Sequence, residues 1–144
     1  MTVAVQSQGT LLQVGDGATP TENFTTVLGV KDIDGPGLTH SEIDVTSQDS
    51  NAWKEVIAGL KDGASLKFNV TFNPNEATHN ETNGLLAKYL DGLTRHWRVV
   101  FPVSPARRWL INGFMKEFAM KEPVDGAIEA TCSIRVTGAP NFNA

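Results

Sequence analysis

Apolar and polar side chains alternate along most of this chain with a period of two, the pattern of strands that bury one face. It is clearest in residues 64–73 (ASLKFNVTFN). There Ala64, Leu66, Phe68, Val70 and Phe72 share one face, and Ser65, Lys67, Asn69, Thr71 and Asn73 share the other. Pro74 ends the run because it cannot donate to a ladder. Residues 94–101 repeat the pattern, with Arg95, Trp97, Val99 and Phe101 set against Thr94, His96 and Arg98. So do residues 128–137, where Ile128, Ala130, Cys132, Ile134 and Val136 oppose Glu129, Thr131, Ser133, Arg135 and Thr137. Residues 107–122 start with Trp109 and Ile111 on one parity and continue with Phe114, Phe118 and Met120 on the other. That switch predicts a β-bulge at Asn112-Gly113. Residues 123–126 (PVDG) supply a turn that joins this strand to the next as an antiparallel hairpin.

Nearer the N-terminus, residues 9–14 and 24–30 read as strands separated by a Gly- and Pro-rich turn at 15–20. Residues 38–47 place His40, Glu42, Asp44 and Thr46 on one side and Ser41, Ile43 and Val45 on the other. Residues 48–61 lose the alternation; Trp53, Val56, Ile57 and Leu60 fit a short helical turn or a long inter-strand loop equally well. One helix is predicted over residues 80–90. Asn80 can cap it, Leu85/Tyr89 and Leu86/Leu90 form i,i+4 pairs, and Gly92 supplies the left-handed stop. The fold class expected is mainly β: an antiparallel β-sandwich or half-barrel with one flanking α-helix. It should form a single domain over residues 1–144, with an N-terminal arm at 1–8, the long loop at 48–61 and a C-terminal tail at 139–144. The arm, the loop and residues 141–144 are expected to be mobile before assembly.

A chain of 144 residues buries enough surface to fold without a disulfide or metal. The single cysteine, Cys132, sits among apolar neighbours and reads as a buried hydrophobe. The start of the chain lacks the basic, then apolar, signature of a signal peptide, and no apolar run approaches the roughly 20 residues of a spanning helix. A soluble protein made in a cytoplasm, with no membrane anchor, is expected. The formal charge of −4 argues against a surface that grips nucleic acid, because phosphate neutralisation needs an excess of Lys and Arg. It does not prevent DNA from sliding past.

Candidate chemistry is sparse. His40, His79 and His96 lie on three separate elements without metal-ligand spacing. No nucleophile elbow, phosphate loop or dinucleotide fingerprint occurs. Glu42 and Asp44 lie two apart on one strand face, as paired carboxylates do in glycosidases, but an alternating strand exposes such a face anyway. No enzyme activity, cofactor or metal is expected. Trp97 and Trp109 occupy core positions, whereas Trp53 suits a core or a contact surface equally. Arg95, Arg98, Arg107 and Arg108 gather around the turn after Phe101. They read as a solvated hairpin end, as subunit–subunit ion pairs or as a nucleic-acid patch, and the net acidity disfavours the last. The pattern alone leads to a binding module or an assembly subunit.

Several segments, in their order and spacing, carry a resemblance. Residues 42–47 (EIDVTS) are followed by the Trp53 connection, residues 57–63 (IAGLKDG) and the strand closing in Asn73-Pro74. Then come residues 83–90 (NGLLAKYL), residues 97–102 (WRVVFP) and a terminal hairpin over 110–118 and 128–138. In this the chain resembles the major tail tube proteins of long-tailed phages with non-contractile tails. The resemblance implies a structural virion protein whose six-membered rings stack into a tube that conducts the genome from capsid to host cell. Its partners would be further copies of itself, a tape-measure protein, tail terminator and tail-tip proteins, and transiting double-stranded DNA held without tight binding. Its place would be the virion tail, after assembly in the host cytoplasm. On that basis Glu42, Asp44, Lys67, Asn69, Thr71, Glu129, Thr131, Ser133 and Arg135 are candidates for the lumen wall. Asp49, Asn51, Trp53, Lys54 and Glu55, in the 48–61 loop, are candidates for stacking one ring on the next. Two other readings remain: a carbohydrate- or protein-binding β-sandwich, and a tube subunit of a related contractile, secretion or gene-transfer apparatus.

Overall fold

The computed structural model describes residues 4, 8–17, 21–103 and 105–142. Nine strands and one α-helix follow the order β1 (Leu11–Gly15), β2 (Phe24–Thr26), β3 (Val30–Asp34), β4 (Thr39–Asp44), β5 (Val56–Asp62), β6 (Ser65–Thr71), α1 (Leu85–Asp91), β7 (Arg95–Phe101), β8 (Arg107–Lys121) and β9 (Glu129–Val136). Seven strands form one antiparallel sheet in the order β2-β1-β7-β8-β9-β6-β3, and β4-β5 stand apart as a two-stranded ribbon.

The connection between the edge strands shows that this sheet is rolled. Laid flat, seven strands at about 4.8 Å spacing would hold β2 and β3 roughly 29 Å apart. The chain passes from Thr26 to Val30 in four steps, which reach about 14 Å at most. The two edges therefore curl toward each other into a half-barrel. Hydrogen bonds continue across the connection, from Val27 N–H to Leu12 O (2.9 Å) and from Thr71 N–H to Gly29 O (2.9 Å).

The alternating strands point their apolar faces into this roll. Leu12, Leu66, Phe68, Val70, Trp97, Val99, Ile111, Cys132 and Ile134 are all buried there. Trp97 Nε1–H donates to Gly113 O at 3.2 Å, so the indole is buried without losing its hydrogen bond. Desolvation pushes the Cys132 thiol up to about 12, so it stays protonated and packs as a hydrophobe. Helix α1 packs against β8: Leu85, its first residue, is buried in the core, and Tyr89 meets Phe118 with ring centroids 6.5 Å apart.

Four local expectations change. Residues 24–30 are two strands rather than one, because the chain must change edges at residues 27–29. The helix begins at Leu85, after turns; Asn80 Oδ1 accepts from the backbone N–H groups of Thr82, Asn83 and Gly84 and so caps the turn that precedes it. Gly92 is left-handed as expected (φ 62). The bulge in β8 falls between Met115 and Glu117, not at Asn112-Gly113. Gly113 instead lets β8 approach β9 closely: a Cβ there would lie 2.4 Å from Arg135 O. Finally, residues 48–61 are not a long loop. They hold a 3₁₀ turn at Gln48–Ser50 and most of β5.

Candidate assembly surfaces

Strand register decides which polar residues share a surface. β6 pairs with β9 so that Lys67 faces Ser133, Asn69 faces Thr131, Thr71 faces Glu129 and Ser65 faces Arg135. All lie on the face turned away from the core, and Thr131 Oγ1–H donates to Asn69 Oδ1 at 2.9 Å. Lys31 reaches Glu129 at 2.5 Å, and its hydrogen bond and charge hold the Glu129 carboxyl below its ordinary range. Arg135 binds both oxygens of Asp62 (3.0 and 3.2 Å) and Ala64 O (2.6 Å), and its hydrogen bonds lower the Asp62 pKa.

Lys67, Asn69, Thr71, Glu129, Thr131 and Arg135 therefore form one hydrophilic outer face. Three of the residues expected with them do not join it. Ser133 has the right parity but only 2% of its surface reaches solvent, and its hydroxyl is buried without a hydrogen-bond partner among the described residues. Glu42 and Asp44 lie on β4, which pairs with β5 alone.

That β4–β5 ribbon has no core of its own. Ile43 sits opposite Ile57 on one side, with Val45 next to them, while Glu42, Asp44 and Val56 lie on the other. Ile43, Val45, Val56, Ile57 and Leu60 are all exposed, and Trp53 at the tip is 79% exposed. Isolated two-stranded ribbons are at best marginally stable in water, and grouped exposed apolar side chains mark a contact surface. Local hydrogen bonds shape the tip. Thr46 N–H donates to Asp44 Oδ1 (2.9 Å), Glu55 N–H to Thr46 Oγ1 (2.8 Å), Ser47 N–H to Ser50 Oγ (3.0 Å) and Trp53 N–H to Ser50 O (3.0 Å). Asp49, Asn51, Trp53, Lys54 and Glu55 are all exposed around it. Trp53 is thus not a core residue of the single subunit.

Three edges of the large sheet carry backbone without a strand partner among the described residues. β2 and β3 are its end strands, bonded to β1 and to β6 respectively. β8 bonds to β7 only through Arg107–Gly113, so residues 114–121 pair with β9 on one side and, among the described residues, with no strand on the other. Such edges recruit further strands unless they are covered.

The outer face of β1 and β7 differs in charge. Arg98 stacks over the Phe24 ring at 4.0 Å and donates to Gln13 Oε1 through Nε (2.8 Å) and Nη2 (2.6 Å). Val100 faces Arg108 across β7–β8, and Arg98 faces Leu110, so the two arginines are diagonal neighbours on one face. Partial burial and the Arg108 charge both lower the Arg98 pKa. Neither makes an ion pair among the described residues. Arg95, grouped with them by sequence, lies at the other end of β7 and pairs with Asp91.

Sequence reasoning missed His79, which is buried. Its Nδ1 accepts from Asn73 N–H (3.2 Å), its Nε2 lies 2.5 Å from Leu28 O, and its ring stacks on Phe72. It ties the end of β6 to the β2–β3 connection, a role that no local motif signals. Among the described residues no cluster of His, Cys, Asp or Glu could hold a metal ion. Nor is any helix among them long and apolar enough to cross a membrane.

Comparison with known proteins agrees with this architecture. A family model described as phage tail tube, TTP, lambda-like matches residues 3–107. Among solved structures, the chain is similar to a protein of the native gene transfer agent virion, with a TM-score of 0.77 at 19% identity, covering 98% of this chain and 100% of that one. It is also similar to a protein from the tail of an empty gene transfer agent particle refined with C6 symmetry (TM-score 0.71, 20% identity, 92% and 96% covered). The SPP1 tail tube gives a TM-score of 0.70 at 14% identity, with 97% and 80% covered. No curated protein matches the chain in sequence.

Proposed function

Because the chain belongs to the lambda-like phage tail tube family, we propose that its copies close into six-membered rings, that the rings stack into a tube, and that the tube passes double-stranded DNA. The observation that carries this reading is the pair of unpaired edges on β3 and on residues 114–121 of β8. They bound a four-stranded half-sheet, β3-β6-β9-β8. Its strands alternate in direction, so β8 runs antiparallel to β3. Rotation about a ring axis brings the β8 edge of one copy beside the β3 edge of the next with that alternation preserved. The contact is heterologous, and a heterologous contact that closes gives a ring. Closure also removes the edges that would otherwise drive uncontrolled association.

On this reading the hydrophilic face of β6 and β9 lines the bore, with Lys67, Asn69, Thr71, Glu129, Thr131 and Arg135 on the wall. The Lys31–Glu129 and Arg135–Asp62 pairs already satisfy several of its charges. Mixed charge without an unpaired basic stripe suits a wall that DNA must slide past rather than bind. The β4–β5 ribbon, with Trp53 at its tip, ties one ring to the next. A tape-measure protein inside the growing tube, and terminator and tip proteins at its two ends, complete the assembly in the host cytoplasm.

Negative-stain microscopy and size exclusion over a range of concentrations test this directly. Six-membered rings or long hollow tubes that grow with concentration are expected. A monomer at every concentration would refute it, and would favour the binding-sandwich alternative.

A further inference from the structure

The Arg98–Arg108 face has a feature that folding of the single chain does not explain. Two arginines occupy diagonal positions on adjacent strands, neither in a direct ion pair among the described residues; Arg98 is partly desolvated, and Glu22, which pairs with His96, offsets its charge only in part. Arg98 is nonetheless held in place by Gln13 and Phe24. Around them lie exposed Leu11 and half-buried Val100 and Leu110. Arg108 is exposed on the same face, and like charges on neighbouring positions in partly apolar surroundings repel each other unless an anion comes between them.

The β4–β5 ribbon has the complementary character. Glu42 and Asp44 lie on one of its sides beside Val56. Asp44 is kept ionised by hydrogen bonds from Thr46, which lower its pKa. Two residues apart on a strand, these carboxylates are separated by about 7 Å. Diagonal neighbours on antiparallel strands, such as Arg98 and Arg108, are about 7–8 Å apart. The ribbon strands, of six and seven residues, are comparable in length to β7, the seven-residue central strand of that face.

We propose that the β4–β5 ribbon of one copy docks on the β1–β7–β8 face of a second copy in the next ring, with Glu42 and Asp44 against Arg98 and Arg108. This rests on the tube reading and deepens it by assigning the ribbon its receptor. It also removes Glu42 and Asp44 from the bore, in keeping with their separation from the β6–β9 face. The apolar flanks, Val56 on the ribbon and Leu11, Val100 and Leu110 on the face, exclude water from the ion pairs and strengthen them.

Charge reversal on each side, and on both, tests the contact. Arg98→Glu/Arg108→Glu and Glu42→Arg/Asp44→Arg are each expected to raise the concentration needed for tube growth about 100-fold, since like charges across an interface cost several kcal/mol. The four-residue variant is expected to regain most of that loss, and rings are expected to form in all three. Disulfide trapping in a chain that keeps Arg98 covers the case in which a reversed variant fails to fold. Asp44→Cys/Arg108→Cys tubes should oxidise to a ladder extending past the dimer, because each copy offers both a ribbon and a face; buried Cys132 takes no part. Wild-type tubes together with normal tubes from Arg98→Glu/Arg108→Glu would overturn the contact and leave the tube reading intact. So would tubes of the Asp44→Cys/Arg108→Cys variant that give no ladder on oxidation. Retention of short duplex DNA by wild type but not by Arg98→Glu/Arg108→Glu, with normal tubes from both, would assign the face to nucleic acid and overturn the contact. Absence of any tube or ring from the wild-type chain would end both proposals together.

Discussion

Replacing Trp53 by alanine separates folding from assembly. The side chain is 79% exposed in the single subunit and packs against nothing in the core. Its removal should therefore change folding stability by no more than about 0.5 kcal/mol, as for surface sites without special contacts. In a domain of this size that is a shift in melting temperature of roughly 2 °C. Assembly should respond very differently. Burying an aromatic of this size withdraws roughly 150–200 Å² from water, or about 4–5 kcal/mol at about 25 cal/mol/Å². Ordering costs and imperfect fit leave about 2 kcal/mol as the measurable loss on truncation. That corresponds to a roughly 30-fold rise in the concentration required for tube growth. Pelleting of tubes across a dilution series gives that concentration, and calorimetry on the unassembled subunit gives the melting temperature. A variant that melts more than about 5 °C early would make Trp53 a structural residue of the fold. Tubes at the wild-type concentration would show that the ribbon tip does not contribute to assembly.

Other perturbations follow from the same geometry. Phe68→Ala, at 2% exposure in the middle of the core, should cost about 3–5 kcal/mol by chemical denaturation. Gly113→Ala should lower stability by about 1–3 kcal/mol, since its Cβ would meet Arg135 O at 2.4 Å and force β8 from β9; an unchanged denaturation midpoint would contradict the close approach. The Asp62 carboxyl should titrate below the ordinary aspartate value and rise part of the way back in Arg135→Gln, as read by NMR, because the Ala64 N–H still donates to it. Its contribution to the ribbon base is present above the unfolded carboxylate pKa of about 4 and is lost as pH falls through the lower folded value. The Val136 amide, which donates to Ala64 O at 3.0 Å, should then exchange faster below about pH 4 than at neutral pH, beyond the intrinsic rate. Cys132 should resist thiol reagents at pH 8 until the chain is unfolded.

The barrel was legible in the sequence where a strand buries one face against the protein's own core. β6, β7 and β9 show this, with Leu66, Phe68 and Val70, then Trp97 and Val99, then Cys132 and Ile134 pointing inward as their parity requires. The β4–β5 ribbon was not legible for the same reason inverted. Trp53, Val56, Ile57 and Leu60 fall at helical spacing, yet β5 is a strand that leaves apolar residues exposed on both sides. Periodicity reports a face only when that face meets a core, and no core of the same chain lies beneath the ribbon. The bulge moved because Gly113 serves close packing, while the extra residue enters three positions later, where β8 has passed the end of β7. Parity correctly grouped the outer residues of β6 and β9. It could not reveal that Ser133 is covered, nor that Glu42 and Asp44 belong to a separate sheet, because both depend on tertiary pairing. Diagonal contact between Arg98 and Arg108 likewise required the β7–β8 register.

The most direct measurement is a helical reconstruction of tubes grown from the purified chain, at a resolution that places side chains. Six-fold rings with β8 of one copy hydrogen-bonded to β3 of the next, and with Asn69, Thr71 and Thr131 facing the axis, are the expected result. Tubes whose bore is lined by the β1–β7 face, or whose β3 and β8 edges remain unpaired, would contradict it.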